Sequence, residues 1–154
     1  MYGLGNLEVV DLAQLNIETN KCDDHASAQE LKWGSMNAID FYETANLIIG
    51  SDLTYNSGSW KLLAETVAVI LKPGGLFLYL TLGHSGFSVA GEIEGFLAVA
   101  AGEGLKLVQQ GSGDWPFNKF SSFTSLLESQ LNQNEKEIIK STGGVRVVLL
   151  KNSF

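Results

Sequence analysis

One cysteine, two histidines and a single arginine are all that 154 residues carry of three residue types on which much protein chemistry rests. The lone Cys22 excludes an internal disulfide and points to a reducing, cytoplasmic setting; with only His25 and His84 available, no cluster has zinc-ligand spacing, so no metal site is expected. Arg146 is the only side chain that grips phosphate bidentately. Ten Lys+Arg against seventeen Asp+Glu, a formal net charge of -7, argue against a nucleic-acid partner. No apolar run approaches the ~20 residues that span a bilayer, and Met1 to Val10 lacks the basic flank of a signal peptide, so no membrane association is expected. What remains, 45% hydrophobic and 18% charged, has the composition of one globular domain over residues 1–154.

Periodicity divides the chain. Val9, Val10, Leu12, Ala13 and Ile17 fall on one arc of a helix over Glu8 to Asn20. Leu31 and Trp33 share a face of a short strand within Ala28 to Trp33. Ala45 to Gly50 holds the unbroken run Leu47-Ile48-Ile49, the pattern of a parallel strand covered by helices on both faces. After a polar turn from Ser51 to Ser59, Trp60, Leu63, Val67 and Ile70 recur at helical spacing until Pro73-Gly74-Gly75 stops the helix and turns the chain. Leu76 to Leu82 is a second buried strand. Val89, Ile93, Phe96, Leu97 and Ala100 mark a helix capped by Gly104, and Leu105 to Gln110 and Val145 to Lys151 are two last strands. Between these lie a turn over Gly111 to Pro116 and a polar helical stretch through Phe123, Leu127 and Leu131. Strands alternating with helices give an α/β sandwich with a mainly parallel sheet and an antiparallel C-terminal edge.

Ligands of such sheets sit beyond the carboxyl ends of the strands, which directs attention to the turns after Gly50 and Leu82. In Leu47-Ile48-Ile49-Gly50-Ser51-Asp52-Leu53-Thr54-Tyr55 a buried strand ends in an acid and a phenol three residues apart, so both side chains can face the mouth of a pocket. Read without further context, Asp52 is a turn residue capping the next helix, Tyr55 a half-buried packing aromatic and Trp33 a core tryptophan. Trp60 and Trp115 read as packing residues, His84 as a solvated loop histidine.

The segment resembles the D-x-x-Y signature of the seven-strand protein lysine methyltransferases, methyltransferase family 16. Leu15-Asn16-Ile17-Glu18-Thr19-Asn20 is similar to the end of the family's helix after strand 2, and Glu30-Leu31-Lys32-Trp33-Gly34 to its L-x-W-G segment after strand 3. Leu71-Lys72-Pro73-Gly74-Gly75 is similar to the turn into strand 5. The resemblance implies an enzyme with a Rossmann-like methyltransferase sandwich and S-adenosyl-L-methionine as cofactor, acting on a target lysine of a protein substrate. Asp52 and Tyr55 would then orient the acceptor amine, with Asp52 offsetting its developing charge. Ser51 would meet the cofactor through its backbone, and Trp33 would flank the adenine.

The family's first strand with its glycine-rich loop, and its second strand ending in a ribose-binding acid, have no counterpart here. The expectation is therefore a single partial domain, from the helix after strand 2 through strand 7, that binds the cofactor weakly. The other reading is a catalytically inactive methyltransferase-like fragment or interaction module. In the implied strand order 3-2-1-4-5-7-6, losing strands 1 and 2 uncovers the strand at Leu47, so self-association through an exposed sheet edge is also expected.

Overall fold

The computed structural model describes residues 7–82, 89–109, 112, 129–130, 132–141 and 145–154. The expected helical positions Phe123, Leu127 and Leu131, together with His84 and Trp115, lie outside them. Helix α1 (Leu7–Thr19) is followed by a stretch of turns, strand β1 (Ala45–Ser51), helix α2 (Trp60–Ile70) and strand β2 (Leu71–Leu82). Helix α3 (Val89–Gly102), strand β3 (Leu105–Leu107), helix α4 (Gln133–Ser141) and strand β4 (Val145–Asn152) complete the order.

The strands form one sheet in the order β1-β2-β4-β3. β1 runs parallel to β2, and β4 is antiparallel to both β2 and β3, so three strands point one way and β4 alone is reversed. Counted from the C-terminal end, this is the 4-5-7-6 portion of the order expected from sequence, with the antiparallel C-terminal edge in place.

Side chains alternate across the pleat and divide the sheet into unlike faces. Phe77 and Tyr79 of β2, Val148 and Leu150 of β4 and Leu105 of β3 turn toward Leu63, Ala64 and Val67 of α2 and Ile93, Phe96 and Ala100 of α3, forming the core. Its centre is aromatic: Tyr79 lies 5.7 Å from Phe77 and 5.8 Å from Phe96, and Phe96 meets Phe77 edge-on at 6.5 Å. Asn152 at the end of β4 is buried and donates to the Leu71 carbonyl at 2.9 Å and to the Ala68 carbonyl at 3.4 Å, joining β4 to the junction of α2 and β2. On the opposite face Leu47 and Ile49 of β1 are 52% and 65% exposed. The expectation that helices cover both faces of this strand is corrected: β1 is an edge strand covered on one face only among the described residues.

Two further expectations change. Residues 28–33 form no strand. A strand needs a neighbour, and among the described residues β1 is bonded to β2 alone. The Pro73-Gly74-Gly75 segment is not a turn between helix and strand either. α2 already stops at Ile70 and β2 starts at Leu71, which pairs with Ala45, whereas Leu47 pairs with Leu76. Lys72 to Gly75 stand opposite Asn46 alone and bulge out of the ladder. Gly74 supplies the positive φ of +75°, and a Cβ on Gly75 would stand 2.9 Å from the Lys72 carbonyl oxygen, so the bulge requires glycine at both places.

Candidate active site

The site is built where β1 leaves the sheet. The last ladder contact is the Asp52 amide donating to the Leu80 carbonyl at 2.8 Å, after which Asp52 adopts φ +58°. A short polar side chain is among the few that tolerate this left-handed conformation, and it swings the chain out of the strand direction within one residue. Gly50 makes the return possible: a Cβ there would stand 2.9 Å from both Leu53 Cδ1 and Phe77 Cε2, so its bare backbone lets Leu53 fold back beneath the strand. Farther on, the Asn56 side chain accepts from the Gly58 amide at 3.0 Å and leads through a single helical turn into α2.

Ser51, Asp52 and Tyr55 all reach solvent on this turn, with Tyr55 48% exposed. The structure thus gathers three of the four expected site residues at the carboxyl end of β1. Trp33 goes elsewhere. It packs against the core while the next amide, Gly34, donates to Thr66 Oγ1 at 2.7 Å. Thr66 is six residues into α2 from Trp60, about 9 Å along the helix at 1.5 Å per residue. Trp33 is therefore moored to the side of α2, and its indole has a packing role whether or not it also meets a ligand.

Sequence reasoning missed the groups underneath the turn. Tyr79 Oη accepts the amides of Leu53 and Thr54, each at 3.0 Å, and lies 2.8 Å from Thr54 Oγ1. The Thr54 hydroxyl donates to Glu92 Oε1, and Trp60 Nε1 donates to the Thr54 carbonyl at 2.7 Å. Thr54 and Tyr79 are fully buried and Glu92 nearly so. A signal was present for two of them. Tyr79 interrupts the apolar run of β2 with a hydroxyl, and Glu92 lies one turn before Phe96 on the buried side of α3. Buried polar atoms in such places need partners. Trp60 is more than the packing residue its sequence context suggests.

The chemistry available at the turn is that of an acid and a phenol, both exposed, above a hydrogen-bonded support, suited to receiving a cation or an amine. The other side of a methyltransferase cleft is incomplete among the described residues. Gly50 closes on Leu53 and Phe77 rather than on open space, and no described strand end carries a glycine-rich loop or an acid for a ribose. The residues present therefore fit the acceptor side of such a site and do not, alone, fit the cofactor. A cavity of about 620 Å³, lined by Gly74, Lys106, Gln109, Lys151 and Phe154 among others, lies at the opposite end of the sheet. The D-x-x-Y turn is outside its lining, so size alone is a poor guide to the chemistry here.

A lysine methyltransferase family model matches residues 6–84, just over half of the chain, which includes β1, the turn and β2. No curated protein matches the chain. Among solved structures it is similar to the [4+2]-cyclase SpnF, at 11% identity and a TM-score of 0.58, covering 94% of this chain and 63% of that one. Similar too is geranyl diphosphate C-methyltransferase from Streptomyces coelicolor A3(2), solved with Mg2+, geranyl diphosphate and S-adenosyl-L-homocysteine. There the identity is 16% and the TM-score 0.54, covering 96% of this chain and 59% of that one. The chain thus spans about three fifths of the length of these structures. At such identities the likeness establishes the Rossmann-like methyltransferase fold and nothing about substrate, as a cyclase among the neighbours illustrates. S-adenosyl-L-methionine is the cofactor of the family. With its D-x-x-Y turn lying inside the matched segment, the chain belongs to the lysine methyltransferase family.

Proposed function

We propose that the Asp52–Tyr55 turn is the acceptor side of an S-adenosyl-L-methionine-dependent protein lysine N-methyltransferase. The observation that carries this reading is the placement of Asp52 and Tyr55 together, exposed, at the carboxyl end of β1. When bound, the family's cofactor supplies an electrophilic methyl group. The acceptor must present a neutral amine, although a lysine with a reference pKa of about 10.4 arrives protonated. Asp52 would attract and orient the ammonium by its opposite charge, the proton would pass to water at the exposed turn, and the carboxylate would offset positive charge on the nitrogen. Tyr55 gives the nitrogen a second hydrogen-bonding contact and so restricts its direction of approach. A chain of net charge -7 suits a basic protein segment as substrate.

The second reading, a non-catalytic methyltransferase-like module that binds a partner, is favoured by the incomplete cofactor side described above. Two measurements separate the readings. Calorimetric titration with S-adenosyl-L-homocysteine is expected to show affinity weaker than micromolar, and transfer of labelled methyl to lysine-containing protein is measured beside it. In the catalytic reading Asp52→Asn and Tyr55→Phe lower transfer far more than they lower cofactor affinity. Undiminished transfer in Asp52→Asn removes that residue from the acceptor site. No transfer from the unaltered chain leaves the module reading.

A further inference from the structure

Thr54 is the second variable position of the D-x-x-Y turn, and its amide, carbonyl and hydroxyl are all hydrogen-bonded. Its hydroxyl has one proton, and that proton goes to the Glu92 carboxylate. The Tyr79 hydroxyl, 2.8 Å away, must then be the donor to Thr54 Oγ1. Tyr79 Oη in turn accepts the Leu53 and Thr54 amides. A one-directional chain results: two backbone N–H groups, the Tyr79 hydroxyl, the Thr54 hydroxyl and finally a carboxylate. Bonds in such a chain polarise one another, and its closing on Glu92 Oε1 gives every link the same sense.

The chain binds the turn to three separate elements. Tyr79 belongs to β2, Glu92 to α3, and Trp60, whose indole N–H holds the Thr54 carbonyl, to the start of α2. The Trp60 ring is itself fixed from behind, since a Cβ on Gly95, one turn after Glu92 in α3, would collide with it. With Thr54 and Tyr79 fully buried, any broken link leaves a polar group without water to replace its partner. Leu53 and Thr54 are thus held from below, and the flanking Asp52 and Tyr55 take their positions from them.

Resting on the acceptor-site reading above, we infer that Thr54, Tyr79 and Glu92 are positioning residues of that site, a buried chain that holds the Asp52 and Tyr55 side chains in one fixed arrangement. None of the three touches the acceptor; they act through the backbone of the turn.

Amide hydrogen exchange on the full chain tests this with Thr54→Val, which keeps the volume and removes the hydroxyl. Tyr79→Phe serves as an independent break in the chain, and Thr54→Ser as a rescue. Both breaks are expected to accelerate exchange at Leu53 and Thr54 by about tenfold or more while the β2·β4 ladder stays within about twofold, and Thr54→Ser to restore protection. Acceleration spread evenly through the sheet would reduce the chain to a stabilising contact and overturn the inference, as would unchanged protection at the turn. In labelled methyl transfer the same breaks lower kcat with KM for the lysine substrate nearly constant, and a change in KM alone would also overturn it. If the unaltered chain transfers no methyl, the acceptor reading fails, while the exchange data still decide whether this chain of hydrogen bonds holds the turn.

Discussion

At the scale of single residues the account turns on Asp52, which joins a charge to an uncommon backbone conformation. Asn and Asp both tolerate left-handed φ because their short polar side chains bond locally, whereas Ala does not share this tolerance. Asp52→Asn should therefore leave stability nearly unchanged, and Asp52→Ala should lower it by about 1 kcal/mol, on the order of the cost of left-handed backbone. Urea denaturation of the two variants side by side checks this. Equal losses would mean that the carboxylate, rather than the conformation, stabilises the turn. The same residue shows what sequence can reveal. Asp52 and Tyr55 are legible because their spacing and the strand before them form a local pattern. The pairing of Thr54 with Tyr79 and Glu92 is not, since it spans 25 and 38 positions and only folding brings the three together.

Elements were legible where their own sequence supplies the reason for them. α1, α2 and α3 follow from apolar periodicity, and β1 and β2 from unbroken aliphatic runs. The 28–33 segment fails because its pattern is satisfied equally by half-buried coil moored to α2, and a strand depends on a partner that its own residues do not encode. The bulge at Lys72 to Gly75 looks like a turn in the sequence for a related reason: Pro and Gly mark a departure from regular pairing, and only the register reveals that pairing resumes on the same strand. The join between α2 and β4 depends on Asn152, whose side-chain amide bonds the Leu71 carbonyl in the interior. Asn152→Ala should cost about 1–3 kcal/mol in denaturant unfolding, because a buried acceptor loses its donor. A change below a few tenths would show that this carbonyl finds another partner.

For the molecule as a whole, the consequence of the fold is the open side of β1. Neither the 28–33 segment nor another described strand pairs with it, and Val9, Leu12 and Leu15 of α1 remain exposed rather than covering Leu47 and Ile49. An apolar edge with free backbone groups recruits further strands. A second copy pairing β1 to β1 across a two-fold axis satisfies both copies at once. Light scattering is expected to show a mass that rises with concentration, and Ile49→Lys to return the chain to monomer, since a charge on an edge strand opposes pairing. A monomer at all concentrations, with strong amide protection in β1, would show that the edge is covered in another way.

The central claim is that the turn from Ser51 to Tyr55 receives a lysine side chain, and it can be tested on this chain without cofactor. The most direct measurement is titration of the isotopically labelled protein with a lysine-containing peptide, followed through backbone amide resonances, beside the same peptide with norleucine in place of lysine. The account predicts shifts centred on Ser51, Asp52 and Tyr55 that saturate with the lysine peptide, are absent with norleucine and are lost in Asp52→Asn. Shifts that persist with norleucine, or that centre on Lys106 and Lys151 at the far end of the sheet, would contradict it.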